Sequence, residues 1–232
     1  MESGRRLGWS SCIATTLVAV GCGAGHMAVP ADIAASSDVL AVSGRSGWSG
    51  SLADESYRLG AYRVEDVDRK WNSTSGWSVA RFSQAKTTGG YRYRFVDGES
   101  TYVGKCATVT RDSNAELGSG LRIGVTSATL GCSCEGDGGT LATAALEGRG
   151  NALSGELATA EGKYVITALF ELDGGLRQSQ PVGYRVDAQG EPVGAVEVLS
   201  PGRAWLSREL PDPERAQASC LFAGLLLYHP DH

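Results

Sequence analysis

The stretch DPERAQASCLFAGLLLYHP, residues 212–230, constrains this chain more than any other. Between Ala216 and Tyr228 only Gln217 and Ser219 are polar. Asp212 stands as a candidate N-cap, Pro213 at the first helical position and Glu214 in the first turn, while Pro230 is a stop. A helix that is apolar nearly all round must be buried or in a membrane, and thirteen residues are too few to span a bilayer. The rest of the chain must therefore enclose it. A final buried strand through Leu225–Tyr228 is the alternative, which the capping residues disfavour.

What surrounds the helix reads as strands. From about Glu55 to Leu206 the segments YRLGAYRV, WSVARFSQA, YRYRFV, TYVGKCATVTR, GLRIGVTSATL, KYVITALFEL, GYRVDAQG and PVGAVEVLS are short and rich in Tyr, Val, Thr, Phe and Ile. Many alternate polar with apolar residues. Turn chemistry separates them at Thr88-Gly89-Gly90, Asp97-Gly98, Gly136–Gly139, Asp173-Gly174-Gly175 and Gln189-Gly190. No helical stripe interrupts the series, so a parallel sheet with crossover helices is disfavoured. The expectation from these residues is a mainly β fold: an antiparallel meander curled round the C-terminal helix at about 213–228. A β-sandwich with a C-terminal helix is the alternative.

The other end of the chain carries an address. Arg5 and Arg6 precede an uncharged, mostly apolar run, Cys12–Val20, followed by Ala19-Val20-Gly21 directly before Cys22. A positive segment followed by a short apolar one is an export-signal layout. This resembles the lipobox of bacterial lipoproteins, in which the signal is cut before a cysteine that becomes acylated; Ala19 departs from the leucine usual there. Arg5-Arg6 also hints at a twin-arginine signal, although Gly8 stands where that signal wants an apolar residue. Residues 1–21 are thus expected to be a signal peptide, and Cys22 the lipidation site. Cleavage there leaves 211 of the 232 residues and moves the formal charge from −5 to −6, since Glu2, Arg5 and Arg6 depart. Residues 22–54 are expected to be the lipidated cysteine and a flexible tether of Gly, Ala, Ser and Val, and residues 55–232 the barrel-like domain. Gly23, where an aspartate would retain such a lipoprotein in the inner membrane, implies the outer membrane.

The last fifty residues carry a second resemblance. Tyr184, Val186, Asp187 and Gly190, with PVGAVEV and the apolar helix after them, are similar in order to the C-terminal part of the tubby-like superfamily, which includes phospholipid scramblases and LURP-one-related proteins. The resemblance implies an antiparallel closed or nearly closed barrel of about twelve strands threaded by the last helix. The family's phosphoinositide-binding basic residues have no counterpart here, so only the fold is carried over.

Chemistry is sparse. The three histidines are His26, His229 and His232, so a Ser-His-Asp, Cys-His or His-based zinc centre has nothing to stand on between residues 27 and 228. Glu135, Asp137 and Glu147 are the carboxylates a glycoside hydrolase would need; Glu135-Gly136-Asp137-Gly138 reads first as a turn and second as a loose calcium loop. Trp71 and Trp77, with Trp48 and Trp205, are a possible ligand platform for sugar, against the more frequent role of packing. A net acidic chain with four lysines offers no basic stripe for nucleic acid. No catalytic residue, metal or cofactor is assigned.

Four cysteines remain once Cys22 is acylated and the signal removed: Cys106, Cys132, Cys134 and Cys220. An even number in an exported chain suggests bridges. Cys132 and Cys134 lie on one face of a strand and are poorly placed for each other. Cys106 is expected to pair with one of them, and Cys220 either joins the other or stays a buried thiol. The expected function is a non-catalytic, lipid-anchored cell-envelope lipoprotein serving as a structural or interaction module. Its partners would be the membrane, through the anchor, and an envelope protein, lipid or glycan. A lipid- or glycan-binding module is the second reading and a carboxylate-dependent glycoside hydrolase the third.

Overall fold

The computed structural model of the protein describes residues 25–45, 55–79, 82–117, 121–149 and 152–228. A short helix α1 (Ala31–Ser36) leads into strands β1 (Ser37–Ser43), β2 (Glu55–Leu59), β3 (Tyr62–Val79), β4 (Phe82–Asp97), β5 (Ser100–Leu117) and β6 (Leu121–Gly136). There follow β7 (Gly139–Arg149), β8 (Ala152–Thr159), β9 (Lys163–Leu169), β10 (Gly183–Ala188), β11 (Glu191–Glu197), β12 (Arg203–Ser207) and the final helix α2 (Asp212–Leu227). Each strand pairs antiparallel with its neighbours in sequence, and β1 joins β12 from Ser37↔Ser207 to Ala41↔Arg203, closing a twelve-stranded barrel. Closure leaves the barrel wall proper without a bare edge.

The hairpins follow from local chemistry. At the β10–β11 turn Gln189 and Gly190 have φ of 52° and 93°, the paired positive values that a two-residue type I′ connection demands. Inward positions are the apolar ones: Tyr91, Tyr93 and Phe95 on β4, Leu130, Cys132 and Cys134 on β6, Ala142, Ala144 and Leu146 on β7. They pack on α2, whose residues from Ala218 to Leu227 are all buried. The helix starts one residue earlier than its capping pattern implies. Pro211 takes the N-cap position without a side-chain bond, and Asp212 and Glu214 fall in the first turn, where a carboxylate meets the positive end of the helix dipole.

One expectation is corrected. Within the supposed tether of residues 22–54, the segment 27–43 belongs to the folded body: β1 is a wall strand, and Met27 and Ile33 are fully buried. They form a second cluster with Val182, Ala195 and Trp205 on the outside of β10–β12. Burial of these apolar side chains outweighs the flexible composition around them. Trp205 is thereby core rather than part of a sugar platform.

Strands β3 to β6 are 16 to 18 residues long, against 5 to 8 for β1, β2 and β8 to β12. They run on past the end of α2 as a four-stranded sheet made of two hairpins.

Two substitutions test the packing of α2. Leu226 is fully buried, so Leu226→Asp should lower stability by roughly 3 kcal/mol or more in a denaturant titration, because an unpaired carboxylate would enter the core. Gly224→Ala, which in an ordinary helix stabilises, should here destabilise by about 1–3 kcal/mol. An added Cβ would lie 2.9 Å from Cys106 Sγ and from Tyr93 Oη, and 3.3 Å from Cys132 Sγ.

Candidate functional site

The densest polar cluster surrounds the C-terminal end of α2. A helix leaves its last four carbonyls without intrahelical donors, and here the barrel wall supplies several. Tyr91 Oη donates to Gly224 O at 2.8 Å, Tyr57 Oη to Ala223 O at 3.1 Å and Tyr93 Oη to Cys220 O at 2.7 Å. Arg69 Nη1 donates to Leu227 O at 3.0 Å, and Arg45 Nη2 to Leu226 O. The Tyr228 N–H reaches Gly224 O and Leu225 O. Two guanidiniums at the negative end of a helix dipole are favourable in themselves. Arg69 also pairs with Glu55 at 2.9 Å and lies 5.5 Å from the Tyr91 ring centre. Each phenol spends its proton on a carbonyl, so the tyrosines serve the helix end, while Glu55, paired with Arg69 through Oε2, has among the described residues no partner for its buried Oε1.

Burial, with the neighbouring Tyr93, pushes Tyr57 and Tyr91 well above the ordinary phenol value of 10.0, and burial does the same for Tyr93 itself and for Tyr184. Burial also lowers the Arg45 guanidinium. The raised phenols keep their protons in the folded chain where an unfolded chain would release them.

The four body cysteines meet inside the barrel. Cys106 and Cys132 are a register pair on β5 and β6 and form one disulfide, with a Cα–Cα distance of 4.1 Å. Cys134 reaches α2 at Cys220, 6.2 Å away by Cα. Cys106 therefore takes Cys132, and Cys220 joins the other. At sequence separations of 26 and 86, chain entropy gives about 3–4 and about 4–5 kcal/mol.

The remaining predicted residues do not converge. Cys22, Trp48, His229 and His232 lie outside the described residues. Trp71 and Trp77 fall on β3, Trp77 opposite Gln84, and their side chains lie outside the described ones. Glu135 is held by Lys105 and Ser133, and the Lys105 ammonium keeps its carboxyl below the usual range. Glu147 faces Thr129 on the same ladder, six residues from Glu135 and so about 20 Å away, too far for a glycosidase pair. Asp137 is exposed at the β6–β7 turn. Among the described residues no group of three metal-ligating side chains occurs.

His26, expected in a loose tether, instead sits 3.2 Å from Glu197. Glu197 is buried on β11, accepts from the Met27 N–H at 2.7 Å and pairs with Arg203 at 2.8 Å. Its lone charge within PVGAVEV was the only trace of this in the sequence. Arg45, Arg69 and Tyr57 carried no local trace, since their partners are carbonyls more than 150 residues away.

Among the described residues the surface has open hollows of about 520 Å³ beside Arg58, Arg63 and Glu65 and about 490 Å³ beside Glu99, Tyr102 and Asp137. No protein-family model, curated protein or solved structure matches the chain.

A pH titration tests the tyrosine cluster. The native state retains protons above the unfolded phenol value, so its stability is fully present below about pH 10 and falls as pH rises beyond it. Denaturant midpoints should hold steady up to that pH and then drop, and phenolate absorbance should show Tyr57, Tyr91, Tyr93 and Tyr184 ionising only as the chain unfolds.

Proposed function

We propose that the protein is an exported lipoprotein, held at the outer membrane of a bacterial envelope by acylation at Cys22, with a barrel that serves as a non-catalytic structural or interaction module. The observation that carries this reading is the use of the cysteines. All four in the body are consumed in two internal disulfides, which persist in oxidising compartments and are rare in the cytosol. Cys22 is left over, directly after a signal-like segment and a run of small residues. An odd cysteine in an exported chain needs a separate purpose, and acylation provides one.

The filled interior favours a scaffold over a ligand carrier, because α2 takes the space that a lipid or cofactor would occupy. The helix-threaded barrel also supports kinship with the tubby-like superfamily at the level of fold. A lipid- or glycan-binding role remains the second reading. It would use the outer surface or the long hairpins, where β3 carries Trp71 and Trp77.

Intact mass of membrane-extracted protein should show a product beginning at Cys22 and carrying acyl chains. Cys22→Ser should remain an unacylated precursor of full length. A soluble, unmodified product, or one that retains Cys12, refutes the anchor.

A further inference from the structure

Most cations of the barrel wall stand beside a carboxylate. Arg92 pairs with Asp68, Arg94 with Glu65, Lys105 with Glu135 and Lys163 with Glu156. Lys86, Arg111 and Arg149 break the rule: they are exposed, and among the described residues their side chains form neither an ion pair nor a hydrogen bond.

The ladders bring these three together. Lys86 on β4 stands directly opposite Arg111 on β5, Arg111 opposite Ser127 on β6, and Ser127 opposite Arg149 at the end of β7. All four lie on the outer face, because Tyr91, Cys106, Ala128 and Leu146, at odd separations from them, are buried inside. Neighbouring strands are about 4.8 Å apart, so two cations sit about 5 Å from each other and the third about 10 Å further on.

Nothing in the fold calls for such a row. Like charges directly opposite on a sheet are destabilising. Charge that guards a sheet against aggregation belongs on its edges, whereas Lys86 and Arg111 occupy the two central strands of the β3–β6 extension. Glu147, two residues from Arg149 on the same face of β7, pairs with none of the three. Asp112 projects to the other face, where it accepts from Thr126 at 2.6 Å. A chain of net charge −5 therefore carries an uncompensated positive row, and an anion laid across it offsets the repulsion.

The surroundings select the class of anion. Toward the middle of the barrel the next outer row is Thr88↔Val109↔Thr129, and the one after it is Gly90↔Ala107↔Gly131↔Ala145. A Cβ on Gly131 would meet nothing within 4 Å, so the surface is open there. Hydroxyls and then a shallow trough of small residues run across the strands beside the cations. The described side chains of these rows include no aromatic ring on which a nucleic-acid base would stack. The row also bends with the closed wall from β4 to β7, a path that a linear polymer follows and a planar bilayer does not.

We propose that this row binds an acidic polysaccharide. The anionic groups of the polymer sit on Lys86, Arg111 and Arg149, the guanidiniums taking them through paired N–H donors, and sugar hydroxyls bond Ser127 and Thr129. This rests on the reading of the barrel as an interaction module, whose partner it names, and is independent of acylation at Cys22.

The test titrates acylated protein, extracted from membranes into neutral detergent at low salt, with polygalacturonate, dextran sulfate and neutral dextran. At least one acidic polymer should bind and dextran should not, and the binding should weaken as salt screens the exposed charges. The carboxylate and sulfate arms tell which anionic group the row prefers. Lys86→Gln, Arg111→Gln and Arg149→Gln should each weaken binding about two- to fivefold, and the triple variant at least about tenfold. The thermal midpoint of Lys86→Gln should hold or rise, because a repulsion is removed. Arg58→Gln, at another exposed and unpaired arginine but on β2, should leave binding unchanged. Failure of both acidic polymers to bind acylated protein overturns the assignment and leaves the anchor standing. Glycan binding by a chain found to carry no acyl group keeps the assignment and sinks the anchor. An equal loss with Arg58→Gln, or a lowered midpoint with Lys86→Gln, overturns the row as a site. Tighter binding of polyglutamate, single-stranded DNA or phosphatidylglycerol vesicles than of either glycan gives the row to an acidic protein, a nucleic acid or a lipid and likewise overturns the proposal.

Discussion

A helix without a polar face has to be wrapped, and this requirement organises the structure. Every position of α2 from Ala218 to Leu227 is buried, so no single sheet face could cover it; only a wall that closes on itself does. Closure in turn demands the pairing of β1 with β12. The same enclosure strands the helix C-terminus in apolar surroundings, where an unsatisfied carbonyl costs about 1–3 kcal/mol. Tyr91, Arg69 and Arg45 answer that cost at Gly224, Leu227 and Leu226, which explains Tyr91 and Arg69 at inward positions of otherwise apolar strands.

Packing around the helix sets the smaller residues. Gly224 faces the Cys106–Cys132 disulfide and Tyr93 at distances that leave no space for a methyl group. Glycine costs a helix about 1 kcal/mol, and here the close approach offsets it. Gly104 is matched to Tyr93 in the same way: a Cβ there would lie 2.0 Å from the ring. The second disulfide, Cys134–Cys220, then ties the helix to the wall by a covalent bond.

Much of this was legible and some was not, for physical reasons. Alternation and turn chemistry marked β5, β10 and the barrel half of β4, and the apolar run marked α2, because both signals are local; Thr88-Gly89-Gly90, read as a turn, instead runs inside β4, and β7 and β8 were not read as strands. The shared face of Cys132 and Cys134 disfavoured their mutual bond, whereas the choice of Cys132 for Cys106 depends on the β5–β6 register. β1 was hidden: SDVLAVS sits in a segment of Gly, Ala and Ser, and its strand identity comes from β12 rather than from its own pattern. The hairpin extension was blurred because its apolar positions change parity, from the odd residues 91, 93 and 95 within the barrel to Phe82 at the tip. The cap of α2 and the burial of Glu197 join residues too distant in sequence for any window to see.

The plug follows all twelve wall strands in the chain. For a polypeptide delivered amino end first, from a ribosome or through a translocation pore, β1 waits for β12 and the whole wall waits for residues 212–227. An amino-terminal fragment without residues 212–227 lacks the helix on which the wall packs and has no finished core. Such non-local pairing makes folding slow and leaves apolar strands open to aggregation meanwhile. Its counterpart is that the chain stays threadable until its final helix emerges, and then the wall, the plug and both sulfur bridges assemble together.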